Sequence, residues 1–151
     1  MIIHKSIADK NILTQFNNIM GRSLMNNASN TCNIEQHISV ASVLWPEIVE
    51  ERGYIFISEF YNGNIDSLEQ RYGNDRKQVE LFVNSWSLSD FFLMSSDNSL
   101  NNDDIVKEFG KILLHFWKMR VKELFPDRGV IVELGEGLMG ERGLTITLYQ
   151  A

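Results

Sequence analysis

The sequence is poor in residues that cross-link or interrupt a chain: its 151 residues include one cysteine, Cys32, and two prolines, Pro46 and Pro126. A lone cysteine cannot form an intrachain disulfide, which favours a reducing compartment. No apolar run approaches the roughly 18 residues that a membrane span requires. The first residues also lack the apolar stretch and cleavage site of a secretory signal. We therefore expect a cytoplasmic protein without a membrane partner.

Positive charge is also scarce, since 14 lysines and arginines face 20 aspartates and glutamates, giving a formal net charge of −6. Binding to nucleic acid without sequence preference needs lysines and arginines that release phosphate counterions. Four lysines could form a stripe on one helix face: Lys107, Lys111, Lys118 and Lys122. The net charge favours a solvated helix face over a nucleic-acid contact, so we predict no direct nucleic-acid partner.

Recognisable catalytic and metal-binding motifs are missing. The chain has no H-E-x-x-H, C-x-x-C or G-x-S-x-G, and its three histidines, His4, His37 and His115, lie far apart in sequence. We therefore predict a non-enzymatic protein with no catalytic residues, metal or cofactor. One alternative is a small enzyme whose site is assembled from scattered residues such as Cys32, Glu35 and His37.

The stretch "GEGLMGERG", residues 135–143, contains a literal G-x-G-x-x-G. A dinucleotide site needs a helix after these glycines, and a kinase loop needs a lysine on a following strand. The sequence offers neither, and Glu136 and Glu141 would repel phosphate. We therefore predict a glycine-rich hairpin loop and no small-molecule ligand. Leu138 and Met139 at its tip either pack on the sheet or contact a partner.

Hydrophobic periodicity predicts the element order α-β-β-α-α-α-β-β. Helices are predicted over residues 6–27, from 64 or 66 to 72, from 74 or 75 with a core face at Val79, Phe82, Val83 and Trp86, and over 103–124. Strands are predicted over residues 38–44, 54–61, 130–134 and 144–149, with loops at 26–33 and 46–53. Two strand pairs separated by helices indicate one α+β domain, residues 1–151. It would have a mostly antiparallel sheet of about four strands with helices packed on it.

An acidic segment, residues 47–69, has six carboxylates and one basic residue, Arg52. The carboxylates belong to Glu47, Glu50, Glu51, Glu59, Asp66 and Glu69. A solvated surface is one explanation. The other is a docking patch for a basic protein, because complementary charge speeds association and sets specificity.

Three features together resemble the immunity proteins of bacterial contact-dependent growth inhibition and related toxin systems. The first is the small acidic α+β design without catalytic residues. The second is "VELFVNSWSLSDFF", residues 79–92, an acidic-aromatic helix followed by Asn84 and Asp90. The third is the ending at residues 125–150, where a final helix leads into two strands.

This resemblance implies a cognate inhibitor that binds a toxin domain, often a basic nuclease, one to one. It would block the active site or the substrate surface of the toxin. The acidic segment would then contact the partner, with Leu138 and Met139 as a possible second contact. A small regulatory or scaffold module, for example a homodimer, is a further alternative.

Overall fold

A computed structural model describes residues 1–95 and 97–151 and shows an α+β fold. Its helices are α1 (Leu24–Thr31), α2 (Ile34–Leu44), α3 (Ile65–Tyr72), α4 (Arg76–Asn84), α5 (Leu88–Phe91) and α6 (Asp103–Leu124). Its strands are β1 (Ile48–Glu51), β2 (Tyr54–Ile57), β3 (Trp86–Ser87), β4 (Val130–Glu136) and β5 (Leu144–Gln150). Short 3₁₀ turns cover Lys10–Gln15, Ser58–Phe60, Ser99–Asn101 and Leu138–Gly140. The predicted α+β class is confirmed.

The strands of the described chain form two antiparallel sheets where the sequence predicted one. The first is the β1–β2 hairpin, and the second has the order β3-β5-β4. Arg52 and Gly53 form the tight turn of the first hairpin, with φ of 50° and 83°. Two successive positive φ values are what a two-residue hairpin loop of type I′ needs, because they match the twist of the flanking strands.

Glu80 of α4 lies between the two sheets and is fully buried. Its Oε1 accepts hydrogen bonds from the backbone N–H of Ile55 in β2 (2.8 Å) and from Nε2 of Gln150 in β5 (2.6 Å). Its Oε2 accepts from the backbone N–H of Gln150 (2.6 Å). A side chain thus supplies acceptors where a direct strand pairing would have supplied carbonyls.

Asn84, one helical turn after Glu80, makes the next link between the same strands. Its Oδ1 accepts from the N–H of Ile57 (2.9 Å), and its Nδ2 donates to the carbonyls of Ile55 (2.8 Å) and Leu148 (3.1 Å). Because residues at i and i+4 share one helix face, α4 presents both side chains to the gap between β2 and β5.

The main hydrophobic core lies between α6 and both sheets. Its buried members are Ile55, Ile57, Leu88, Leu113, Trp117, Val121, Val132, Ile146 and Leu148. A smaller buried cluster joins β2 to α3 and α4 through Tyr54, Phe56, Ile65, Leu68 and Val79. Aromatic and aliphatic residues from distant parts of the chain are therefore buried around β2 and β5.

Several predicted elements are confirmed. Asn102 caps α6 by accepting hydrogen bonds from the N–H groups of Asp104 and Ile105, and this helix ends before Pro126. α3 ends at Gly73, which adopts the left-handed conformation, and Asp75 caps α4. β4 and β5 form the predicted closing hairpin.

The predictions for the first third of the chain were wrong. Within the helix predicted over 6–27, residues 6–23 form a 3₁₀ turn and an irregular stretch. Helix α1 begins only at Leu24 and occupies most of the predicted loop at 26–33. A side chain at Gly21 would lie 2.5 Å from the backbone N of Asn27, so the chain approaches itself closely here. Ser23 then starts α1 by accepting from the N–H of Asn26.

Residues 38–44 belong to helix α2 and not to the predicted strand. The β-branched residues in this stretch favour a strand only weakly. A reciprocal capping box, in which Asn33 and Gln36 each accept from the backbone N–H of the other, starts the helix instead.

Four further details differ from the prediction. The loop expected at 46–53 contains β1, and the strand expected to reach Tyr61 ends at Ile57. Phe82 is 44% exposed, because α4 turns Val79, Glu80 and Asn84 inward. Trp86 lies in β3, beyond the end of α4.

Candidate partner-binding surface

Arg52 holds together one part of the acidic segment. Its Nη1 lies 2.7 Å from Oδ1 of Asp66 and 3.1 Å from Oε2 of Glu69, and the Asp66 hydrogen bond raises the pKa of the guanidinium. Close by, the hydroxyl of Tyr61 donates to Oε2 of Glu51 at 2.6 Å. Two carboxylates therefore share Arg52 and a third is held by a tyrosine, so this part of the surface keeps a negative charge.

Glu50 has a different setting, in a network around Arg128. Nη1 of Arg128 donates to Oε1 of Glu50, while Nη2 donates to the carbonyl of Gly53 (2.9 Å) and to Oε1 of Gln150 (2.8 Å). The guanidinium also lies over the ring of Phe125, 5.1 Å from its centroid. Glu50 thus helps to anchor the β1–β2 hairpin to β5.

Glu47 and Glu59 are the two acidic residues beside a groove. Oε1 of Glu47 accepts from the hydroxyl of Ser58 at 2.7 Å. Glu59 is exposed, and none of the residues that the structure describes hydrogen-bonds or ion-pairs with its carboxylate. Both carboxylates therefore remain available at the mouth of this groove.

The groove has a volume of about 600 Å³. It is lined by residues within 42–47, 57–60 and 86–91 and by Trp117. We call it the aromatic groove. Trp86 is at its centre, with ring centroids 5.3 Å from Phe60, 4.3 Å from Phe91 and 6.0 Å from Trp117. Trp117 is buried and forms the floor, while Phe91 is 39% exposed.

Sequence reasoning missed the aromatic groove. It assigned Trp86 to the core face of α4 and gave Phe60, Phe91 and Trp117 no role. The four rings come from four different elements, so no local spacing connects them. The one available signal was the concentration of aromatic residues within and after the acidic segment.

The two apolar residues at the tip of the glycine-rich hairpin loop, Leu138 and Met139, lie in different surroundings. Leu138 folds inward over Gly135, so closely that a Cβ at position 135 would lie 3.2 Å from its Cδ2. Met139 is 42% exposed and has a φ of 56°, a conformation that is uncommon for residues other than glycine. Of the two residues predicted to contact a partner, only Met139 thus points to solvent.

The scattered residues of the enzymatic alternative border a shallow, open depression. Cys32, Glu35 and His37 are all exposed. In the described chain, no hydrogen bond joins the side chains of these three residues to one another. His4 and His115 are also exposed. Within residues 1–95 and 97–151, no group of three or more potential ligands could hold a metal ion.

Comparison with known proteins gives no guide to this surface: no family model, curated protein or solved structure matches the chain. Among the described helices, none is both long enough and apolar enough to cross a membrane. The case for a function therefore depends on the geometry and charge of the surface.

Proposed function

We propose that this protein is a non-enzymatic immunity protein that binds one cognate toxin domain, a basic nuclease, and blocks its active site or substrate surface. The observation that supports this proposal is the acidic segment itself. Its carboxylates follow one another along β1, the 3₁₀ turn after β2 and α3, with Arg52 and Arg128 as the basic residues paired to them.

An acidic surface of this kind complements a partner protein that itself binds nucleic acid. A nuclease holds its substrate by lysines and arginines that contact phosphates. Carboxylates spread over a strand, a turn and a helix offer such a cleft a similar pattern of negative charge. Long-range attraction between the two surfaces would also accelerate their encounter.

Survival of co-expressing cells tests the function. The probe is the toxin domain that we expect the gene immediately upstream to encode. We expect cells that make this domain to survive only when they also make the present protein. Death of the co-expressing cells, with both proteins produced and folded, would contradict the proposal.

Association kinetics test the acidic surface. In a Glu59→Lys/Asp66→Lys variant, we expect the association rate constant with the same toxin domain to fall about tenfold or more at low salt. Glu50 is unsuitable for this purpose, because its contact with Arg128 also supports the fold. Equal association rates for this variant and the unmodified protein would show that the partner binds elsewhere.

The matched control is Glu35→Lys/Glu123→Lys, which changes the net charge equally. It pairs one exposed glutamate on α2 with one that lies 3.7 Å from Arg120, much as Asp66 lies beside Arg52. Since both positions are outside the acidic segment, we expect this control to associate at nearly the unmodified rate.

A scaffold or regulatory module that forms a homodimer is the second candidate, favoured by exposed apolar side chains on α1 and α2. Met25 is 86% exposed, Ile34 78%, Ile38 65% and Val40 47%. Light scattering of the purified protein tests this candidate. A dimer that an Ile34→Glu/Ile38→Glu variant converts to monomer would support it, and a monomer at all concentrations would reject it.

A further inference from the structure

The aromatic groove differs from four other aromatic positions of the protein in the charged side chains that lie over its rings. Elsewhere the protein places its own cations over aromatic rings: Arg71 over Phe82, Arg120 over Trp45, Arg128 over Phe125 and Lys77 over Tyr149, at 4.7, 5.5, 5.1 and 4.7 Å from the ring centroids. In the part of the chain that the structure describes, no lysine or arginine lies over Phe60, Trp86 or Phe91 in this way.

The charge at the groove is negative. Glu47 and Glu59 line it, and none of the other described lining residues is basic. Arg120 reaches the wall of the groove, where its Nε donates to the carbonyl of Pro46 at 3.3 Å. Its guanidinium is already engaged by Trp45 and Glu123. The groove thus combines aromatic rings over which the described chain places no cation with two carboxylates that have no cation of their own.

We propose that the aromatic groove binds one arginine side chain of the partner, with the guanidinium against the face of Trp86 and within reach of the carboxylates of Glu47 and Glu59. This proposal rests on the proposed function, because the arginine would belong to the basic toxin domain. A volume of about 600 Å³ lies within the usual range for small-ligand pockets, roughly 300–1,000 Å³, and accommodates one long side chain.

Arginine fits this arrangement better than the other common occupants of a groove. Its planar guanidinium stacks on aromatic faces and can still donate hydrogen bonds to carboxylates in its own plane. Lysine offers a compact, strongly hydrated charge that stacks less well. An apolar side chain would leave Glu47 and Glu59 beside a buried surface with nothing to pair them.

The proposal is tested by titrating the unmodified protein with N-acetyl-arginine methylamide. NMR signals of the indole N–H groups report the binding. Trp86→Phe assigns the relevant signal among those of Trp45, Trp86 and Trp117. We expect the probe to shift the Trp86 signal saturably and to leave that of Trp45 unchanged. We expect weaker binding of the matching lysine probe and none of the citrulline or leucine probes.

A charge-neutralising pair tests the role of the carboxylates. Glu47→Gln/Glu59→Gln keeps the shape of the rim and an acceptor for Ser58, and we expect it to weaken arginine binding about fivefold to tenfold. The control, Glu35→Gln/Glu136→Gln, changes two exposed glutamates outside the groove lining and should bind the probe as the unmodified protein does.

Three results would overturn the arginine site: no shift of Trp86, an equal shift with the citrulline or leucine probe, or unchanged affinity in the Glu47→Gln/Glu59→Gln variant. Because the probe is an amino-acid derivative, this outcome is independent of the toxin. A protein that protects cells but ignores arginine would keep the proposed function and lose the groove site. One that binds arginine but gives no protection would do the reverse.

Discussion

Tyr61 shows how single residues of the acidic segment are held. Its hydroxyl donates to Glu51, and its ring stacks on Phe56 with centroids 4.3 Å apart. Burial first, and then the hydrogen bond to Glu51, raise the pKa of Tyr61 to about 12. An unfolded tyrosine titrates near pH 10. The contribution of the protonated Tyr61 hydroxyl to the free energy of unfolding is therefore complete below about pH 10, and it is lost as the pH rises toward about 12.

Alkaline titration of the phenol groups tests this effect. Burial also raises the pKa values of Tyr54 and Tyr149, so the titration of Tyr61 is best obtained as the difference in phenolate absorbance between the unmodified protein and Tyr61→Phe. We expect this difference to titrate near pH 12. In Glu51→Gln it should titrate lower, because the neighbouring negative charge is gone. A difference that titrates near pH 10 in the unmodified protein would contradict the assignment.

At the scale of elements, Gly110 decides how closely α6 approaches the larger sheet. A Cβ at this position would lie 2.8 Å from Cδ2 of Leu144 and 3.2 Å from Cδ2 of Leu134. Glycine inside a helix costs about 1 kcal/mol relative to alanine. The contact with β4 and β5 offsets this cost, because it buries Leu113 and Trp117 in one cluster with Ile146 of β5.

Gly110→Ala tests which effect is larger. Helix propensity favours alanine by about 1 kcal/mol, whereas extra volume in a packed core typically costs about 1–3 kcal/mol. We expect Gly110→Ala to lower the free energy of unfolding, measured in urea, by about 1 kcal/mol. The same substitution in a Leu144→Ala background should cost less or become stabilising. Simple additivity of the two substitutions would show that the leucine is not the obstacle.

At the scale of the whole molecule, Glu80 and Asn84 connect the two sheets. They occupy the gap between β2 and β5, and all the polar contacts of Glu80 are with N–H donors. In the described chain, no buried side-chain nitrogen or oxygen lacks a hydrogen-bond partner. The relative position of the sheets, and hence of the acidic segment and the groove, depends on these two side chains.

Glu80→Gln tests this connection with almost no change of shape. The new amide can accept at only one of its two positions, so its NH₂ would face either the backbone N–H of Gln150 or that of Ile55. A hydrogen bond to a charged group contributes about 1.5–3 kcal/mol, and we expect a loss of about 2 kcal/mol in the free energy of unfolding. Glu35→Gln, at an exposed position, should unfold like the unmodified protein. Equal stability of both variants would remove Glu80 from this role.

The elements that the sequence predicted well are those whose signals are local and agree with one another. For α6, the cap Asn102, the acidic first turn, the spacing of apolar residues and Pro126 all specify the same helix. For α3, Gly73 marks the end. For α2, the β-branched residues and the capping box of Asn33 and Gln36 disagreed, and the prediction followed the weaker signal.

The sequence by itself determined the α+β class, the excess of negative charge between residues 47 and 69, and the closing hairpin, because composition and local periodicity encode all three. Only the tertiary structure decided that Glu80 and Asn84 connect two sheets, that Glu50 pairs with Arg128, and that Trp86 joins three other rings in a groove. These contacts connect residues far apart in the chain, and their partners are chosen by packing, which no local pattern records.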